Sequence, residues 1–99
     1  MSDKTTLVVT ATPNPAEMAA VREYLQGVMP LLIGAGGQLV RRNKVHSVVS
    51  GEPSGMVLVM DFDSAEAAAD LFASEAYGAL VPVRDRGFSQ MNILLTQSM

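Results

Sequence analysis

The sequence predicts an α+β fold in which an antiparallel sheet of about four strands carries two helices on one face. Strand-like and helix-like segments follow each other along the chain in the order βαββαβ. The segment Met56–Phe62 is apolar at every second position, and Val57 and Val59 between those positions are apolar as well. Because successive strand residues point to opposite faces, both faces of this strand are expected to be dry. Two helices cover one face, and a second copy of the chain is the simplest cover for the other.

The composition favours a small, self-associating domain. Of the 99 residues, 48% are hydrophobic and 17% are charged, whereas about 25% are charged in an average soluble domain. A chain of this length is expected to form one domain, residues 1–99. The net charge of −3 argues against nucleic acid as a partner. The absence of cysteine excludes disulfides and thiolate metal sites.

The sequence also predicts a cytoplasmic protein. Residues 1–6 contain no apolar stretch behind a basic one, so no signal peptide is expected. No run approaches the ~20 apolar residues that a membrane helix needs, so no membrane partner is expected either.

The first strand and the first helix are predicted within residues 6–37. The β-branched run Thr6–Thr12 is typical of a strand. Asn14 and Pro15 then predict a helix start, since Asn14 can accept a backbone hydrogen bond and Pro15 has no N–H to satisfy. Pro30 predicts a kink or a restart, and the glycine-rich segment 34–37 predicts the end of the helix. Apolar residues recur at spacings of three and four along one stripe of this helix: Met18, Val21, Leu25, Val28 and Leu32.

The segment 38–51 is expected to be extended, with two arrangements left open. It forms either a short hairpin that turns near Asn43-Lys44 or one long bent strand. The turn residues at 52–55 then lead into the strand Met56–Phe62.

The remaining residues predict a second helix and a last strand. Asp63 or Ser64 is predicted to cap the helix, and Ser74 to cap a further short turn that ends near Pro82. Residues 84–87 are predicted to be a connection and residues 89–97 the last strand. The inner face of the second helix is predicted to carry Ala67, Ala68, Leu71 and Phe72.

This order of elements is that of the ferredoxin-like split βαβ fold, with both helices on one face of an antiparallel sheet. An apolar open face on such a sheet favours the pairing of two sheets into a dimeric barrel.

A set of residues in fixed order resembles a known family. The set is similar to that of the domain of unknown function 1330 family, in the dimeric α/β barrel group that also contains the antibiotic-biosynthesis-type monooxygenases. The resemblance runs over nearly the whole chain and implies a ferredoxin-like fold and a homodimer, but no settled reaction. The residues that carry it are Gly36-Gly37, Leu39-Val40-Arg41, Gly51, Phe62-x-Ser64-x-Glu66-x-Ala68 and Ser74-x-x-Tyr77-x-x-Leu80-x-x-x-Arg84.

Tyr77 and Arg84 are the strongest candidates for a binding site. Arg84 follows Tyr77 by seven residues, in chain that is predicted to be irregular, and can lie over the mouth of the cleft between sheet and helices. There its guanidinium group can bind a carboxylate or a phenolate through two hydrogen bonds. In the alternative, Tyr77 completes the core, and Arg84 pairs with Asp85, Glu75 or a partner subunit. The sequence favours neither arrangement over the other.

His46 is a weaker third candidate. It is the only histidine, and we expect it in a strand, where it could act as an acid or base near neutral pH. Without a second ligand nearby, a surface or interface position is favoured, and neither a metal nor a cofactor is expected. The basic cluster Arg41–Lys44 most simply protects an edge strand by its charge.

Three functions are compatible with these residues. The first is a homodimer that binds a small organic molecule, anionic or aromatic, between sheet and helices, with or without cofactor-independent catalysis. The second is a non-catalytic dimerisation or binding module. The third is an antibiotic-biosynthesis-type monooxygenase, which needs His46 or a helix residue to face the cavity. A roomy, partly polar cavity beside Tyr77 and Arg84 would favour the first function, and a cavity filled by apolar side chains the second.

Overall fold

The structure, a computed structural model that describes residues 4–99, has one antiparallel four-stranded sheet with its helices packed against one face. The strands are ordered β2-β3-β1-β4, as the ferredoxin-like prediction requires. Residues 1–3, the start of the segment where no signal peptide is expected, lie outside the described residues. The elements are β1 (Thr5–Pro13), α1 (Met18–Gly34), β2 (Gln38–Lys44), β3 (Met56–Phe62), α2 (Ala65–Phe72), α3 (Glu75–Gly78), α4 (Val81–Gly87) and β4 (Phe88–Thr96).

The strand register divides the sheet into a helix face and an open face. Leu7 of β1 lies opposite Met60 of β3 and Leu95 of β4, and these positions belong to the helix face. Val8, one residue further on, lies opposite Val59 and Leu94, and these positions belong to the open face. The predicted alternation within Met56–Phe62 is therefore confirmed. The core lies on the helix face and includes Leu7, Met60 and Phe62 from the sheet and Val21, Val28 and Leu32 from α1.

Helical structure begins after Asn14 and ends in the glycine-rich segment, as the sequence predicts, but α1 itself begins only at Met18 and does not restart at Pro30. The Asn14 side chain accepts a hydrogen bond from the Ala16 N–H and caps a short 3-10 turn that leads into α1. The helix then continues through Pro30 to Gly34, because the loss of one N–H donor is outweighed by the packing of the stripe on both sides. The chain turns away just beyond the helix at Gly36, whose φ of 96° is one that glycine adopts readily.

The segment 38–51 is neither a short hairpin nor one long strand. β2 ends at Lys44, which pairs with Met56, and its irregularity falls at Val40 rather than at Asn43-Lys44. Residues 45–55 form a loop, closed at its base by the hydrogen bond from the Val45 N–H to the Gly55 carbonyl oxygen. The prediction that His46 lies in a strand is therefore wrong, because the partner strand β3 begins only at Met56 and offers no ladder beyond it.

The region after β3 contains more helix than the sequence predicts. Of the two predicted caps of α2, Asp63 and Ser64, the structure shows Ser64. Its hydroxyl oxygen accepts a hydrogen bond from the Ala67 N–H. The Ser74 hydroxyl caps α3 through the Tyr77 N–H. Residues 84–87, predicted to be a connection, belong to the helix α4. Pro82, near which the sequence predicts the end of a turn, stands in the first turn of α4, where its missing N–H is not needed.

Among residues 4–99, no helix is both long and apolar enough to cross a membrane.

Candidate functional site

Three side chains from three helices meet in the helix layer, beside Phe88 at the start of β4. Tyr24 comes from α1, Tyr77 from α3 and Arg84 from α4. The Arg84 Nη1 group donates to the Tyr77 hydroxyl at 3.0 Å, and the two tyrosine hydroxyl oxygens are 2.9 Å apart. A connected chain of polar groups therefore runs from the half-buried Arg84 to the buried Tyr24.

The capping of α3 places Tyr77 in this chain. The Ser74 hydroxyl accepts from the Tyr77 N–H at 3.2 Å and donates to the Leu71 carbonyl oxygen at 2.6 Å. This fixes the start of α3 against the end of α2, and the Tyr77 ring points inward with 3% of its surface exposed. The ring of Phe72 packs edge-on against it at 4.9 Å between centroids.

Tyr24 is held as a neutral hydroxyl group. Its ring is 4% exposed, and Phe88 packs edge-on against it at 5.5 Å between centroids. Burial, followed by the hydrogen bond with Tyr77, raises the pKa of Tyr24 well above its usual range. The Tyr24 hydroxyl therefore stays protonated at any physiological pH and can act as a hydrogen-bond donor.

Arg84 is anchored and still has donors to spare. Its Nη1 group reaches Tyr77, its Nε reaches the Asp85 carboxylate at 3.2 Å, and its side chain is 25% exposed. Burial alone lowers the pKa of Arg84, but the hydrogen bonds with Tyr77 and Asp85 outweigh that effect and raise it. A guanidinium group has five N–H donors, so two engaged donors leave the outer end of the group available to an anion.

Arg84 stands over an open groove between α4 and β4. The volume in which the centre of a water molecule fits is ≈ 490 Å³, within the range of sites for small organic molecules. The groove combines charged and polar residues at its rim with an apolar floor. It is lined by Arg84, Asp85, Phe88, Ser89, Gln90, Met91 and Ile93.

A second, much smaller cavity, the inner cavity, lies behind the floor of the groove. By the same measure its volume is ≈ 30 Å³, which is room for one or two small atoms. Phe88, Met91 and Ile93 line both spaces, so they form the wall between groove and cavity. The surface of the inner cavity is almost entirely apolar.

The structure brings together two of the three predicted site residues. Tyr77 and Arg84 are in direct contact, and the Arg84–Asp85 pair foreseen in the alternative arrangement is also present. His46 lies in the exposed loop 45–55 and does not line the groove or the inner cavity. The basic cluster Arg41–Lys44 is exposed on β2, which is an edge strand as expected.

Tyr24 is the site residue that the sequence analysis missed. It lies three residues after Val21 and four before Val28, on the stripe that the helical spacing already identified. A hydroxyl-bearing ring within an otherwise apolar stripe was the available signal, because a buried Tyr needs a polar partner.

Among residues 4–99, no group of three or more His, Cys, Asp or Glu side chains is arranged to hold a metal ion.

The fold and register define this chain as a ferredoxin-like α+β domain. The profile of the family described as domain of unknown function (DUF1330) matches residues 5–99. The chain belongs to this family, as the resemblance implied. No curated protein matches the sequence.

Solved structures of similar fold include three that share 14% sequence identity with this chain. Protein RPA0582 of Rhodopseudomonas palustris, of unknown function, has a TM-score of 0.80 over 100% of this chain and 85% of its own. At3g17210 of Arabidopsis thaliana has a TM-score of 0.74 over 96% of this chain and 95% of its own. A candidate antibiotic biosynthesis monooxygenase of Nitrosomonas europaea has a TM-score of 0.67 over 100% of this chain and 93% of its own. At this identity the likeness shows the fold alone.

Proposed function

We propose that this protein is a homodimer that binds a small organic anion with an aromatic or other apolar body in the groove between α4 and β4. The observation that carries the proposal is the position of Arg84. This permanently charged group is held beside the groove by Tyr77 and Asp85, lines the groove, and has N–H donors that neither of these contacts uses.

The groove suits an amphipathic ligand. A carboxylate or phenolate would bind the free edge of the Arg84 guanidinium through charge-assisted hydrogen bonds, which are the stronger kind. The apolar body would lie on Phe88, Met91 and Ile93, whose side chains form the floor. Asp85 pairs with Nε of Arg84 and partly balances its charge. A ligand must therefore bind the N–H donors of the guanidinium group that Asp85 and Tyr77 leave unused.

A second copy of the chain is the proposed cover of the open face. Its centre is apolar, with Val8, Val57, Val59 and Leu94, and four strands of about seven residues make a face of roughly 20 × 25 Å. That face is on the scale of the ~800 Å² that each partner buries in a standard interface.

Polar groups on the open face already bond each other, which permits their burial. The Thr6 hydroxyl donates to the Asp61 carboxylate at 2.8 Å, and the Asn92 amide donates to the Thr10 hydroxyl at 3.2 Å. Polar groups that have partners within their own face keep those hydrogen bonds when a partner chain excludes water. An isologous contact, in which the same face meets itself, is the usual geometry of such dimers.

The binding proposal is tested by titration calorimetry with 4-phenylbutanoate and its neutral amide, 4-phenylbutanamide. We expect the acid to bind and the amide to bind much more weakly. Arg84→Lys should weaken binding of the acid by about 1–3 kcal/mol, because a point charge replaces a planar group that grips two oxygens.

The matched control is Arg86→Lys. Arg86 lies on the same helix and pairs with Glu17 and Glu23 at 3.5 and 3.8 Å, and it does not line the groove. It should leave the affinity unchanged. Equal affinities for acid and amide, or an Arg84→Lys variant that lowers the melting temperature and leaves affinity alone, would reject the proposal in favour of a purely structural Arg84.

A further inference from the structure

The irregularity of β2 at Val40 determines which basic side chain reaches the open face. Leu39 pairs with Met60 on the helix face. The next paired residue of β2 is Arg41, which lies opposite Val59 on the open face. Regular pairing would place Val40 opposite Val59 and turn Arg41 to the helix face, but a one-residue bulge re-aims the side chains that follow it. The open face therefore carries the Arg41 cation where an unbroken ladder would place a valine.

Asp61 provides the opposite charge on the same face. It lies opposite Thr6, whose hydroxyl donates to one oxygen of its carboxylate at 2.8 Å. Among the described residues that pair on the open face, Arg41 is the one cation and Asp61 the one carboxylate. Both side chains are exposed. Within residues 4–99 of one copy, no ion pair or hydrogen bond joins them.

A second copy on the open face brings these two charges into the contact between the copies. A buried charge without a partner is strongly unfavourable, so each of them needs an opposite charge there. In an isologous contact, residue i of one copy meets residue j of its partner, and j meets i. One cation and one carboxylate on the same face thus provide two ion pairs for a dimer, and neither charge is left alone.

We propose that Arg41 of each copy pairs with Asp61 of the other copy, and that these two ion pairs fix the register in which the open faces meet. This inference rests on the proposed homodimer and names the contact that aligns its two copies. The Thr6 hydroxyl occupies one oxygen of the Asp61 carboxylate. The other oxygen is available to the guanidinium group, since a carboxylate accepts several hydrogen bonds.

The positions of the two residues on the sheet agree with a twofold contact. The apolar centre of the open face is formed by Val8, Val57, Val59 and Leu94. With strands about 4.8 Å apart and about 6.8 Å between alternate residues of a strand, Arg41 and Asp61 both lie ~9 Å from that centre. A twofold axis through the centre preserves this distance, so it can place Asp61 of one copy over Arg41 of the other. The strands of the two sheets then cross close to a right angle, which is one of the two usual packings of sheets.

The basic cluster on β2 also has the simpler explanation that charge protects an edge strand from unwanted pairing. That explanation requires a charge at position 41 but not a particular sign. Under it, Arg41→Glu keeps the edge protected and leaves the homodimer unchanged. The proposed ion pair requires opposite signs at Arg41 and Asp61, so reversal of either charge has a large effect.

The test mixes two charge-reversed variants, Arg41→Glu and Asp61→Arg. Alone, each variant brings like charges together at both contacts, and the dissociation constant of its homodimer should rise about tenfold to hundredfold in sedimentation equilibrium. In an equimolar mixture, both contacts of the heterodimer join opposite charges again. Native mass spectrometry should therefore show the heterodimer well above the share that random exchange gives. Random proportions, or homodimers of wild-type affinity, would overturn the inference.

The matched control is Arg42→Glu. Arg42 is the next residue of β2, is also exposed, and lies opposite Leu58 on the helix face. This variant makes the same change of charge, so it should leave the homodimer unchanged and form random proportions in a mixture with Asp61→Arg. A preference of Arg42→Glu for Asp61→Arg equal to that of Arg41→Glu would show a general effect of net charge and reject the proposed pair.

A neutral variant keeps the inference testable if Asp61→Arg does not fold. Asp61→Asn keeps the size of the side chain, and it should still prefer Arg41→Glu as its partner. Of the three dimers in that mixture, the heterodimer alone keeps an ion pair without a contact between like charges. Failure of the proposed homodimer is distinguishable: in that case wild-type protein is a monomer, whereas a wild-type dimer without these preferences rejects only the ion pair.

Discussion

The two faces of the sheet are built from similar residues but have different surroundings. On the helix face, Leu7, Met60 and Phe62 are at most 2% exposed. On the open face, Val8, Val57 and Val59 of the same strands are only partly buried, and Leu94 is 50% exposed. The helix face meets α1 and α2, and within residues 4–99 no element covers the open face.

The difference shows that alternation of apolar residues indicates which residues point to each side, while the cover on each side depends on the rest of the molecule. The helix face also carries the candidate site, because the helices bring Tyr24, Tyr77 and Arg84 together. The open face has threonine, asparagine and aspartate groups that bond each other. The candidate site thus lies on the helix side of the sheet, and the proposed contact between two copies of the chain lies on the open face.

The largest expected effect is that of a charge on the helix face. Leu58 is 6% exposed and lies in the core, so Leu58→Asp should abolish folding or remove about 4 kcal/mol or more of stability, since the carboxylate has no partner there. Circular dichroism and urea unfolding measure this. Leu58→Met, which keeps the volume, should lose less than ~1.5 kcal/mol. A folded Leu58→Asp protein of wild-type stability would contradict the assignment of the core.

A charge on the open face should act on assembly instead. Val59, the next residue of β3, pairs with Val8 on that face. If a second copy covers it, Val59→Asp should weaken the dimer by about 3 kcal/mol or more, because two unpaired carboxylates enter one interface. Sedimentation equilibrium measures the dissociation constant, with Val59→Thr as the uncharged control. A wild-type protein that is a well-folded monomer at micromolar concentration would contradict the proposed homodimer.

The packing of the helix face is also tested by a single methyl group. A Cβ atom at Gly37 would lie 2.7 Å from Cζ of Phe62 and 2.8 Å from the Leu32 carbonyl oxygen. Gly37→Ala should therefore lower stability by about 1–3 kcal/mol, since backbone as well as a core ring must move. At Gly34 a Cβ atom would meet no atom within 4 Å, and Gly34→Ala should be neutral or slightly stabilising. Equal effects of the two changes, measured by thermal unfolding, would show that the contact with Phe62 is loose.

The smallest expected effect is confined to alkaline pH. Burial raises the pKa of Tyr24 in the folded protein, so its contribution to stability is complete below the pKa of an unfolded tyrosine, ~10, and declines as the pH rises above that value. Wild-type protein should thus lose about 1 kcal/mol more than Tyr24→Phe between about pH 9 and pH 11. Urea unfolding at both pH values measures the difference. Parallel losses in the two proteins would mean that Tyr24 is more hydrated than its burial indicates.

Local patterns predicted the fold but only part of the site. The strand Met56–Phe62, the cap at Ser74 and the end of α1 depend on residues that are near one another in the chain, so the sequence predicted them correctly. Arg84 and Tyr77 were predicted as candidates for one site, and the structure places them in contact with each other. Helix α4 was missed because seven residues that include Pro82 and Gly87 show no helical pattern of their own, and contact with α1 supplies what the local sequence lacks.

The sequence by itself determined the order of the strands and the two main helices, the two faces of the strand Met56–Phe62 and the family, because backbone geometry and side-chain alternation act over a few residues. Only the tertiary structure decided that His46 lies in a loop, since the end of β2 depends on where β3 begins to pair. Only the tertiary structure, too, brought Tyr24 to Tyr77 across 53 residues of chain. A hydrogen bond between such distant residues depends on how α1 and α3 pack on the sheet, and neither segment carries that information alone.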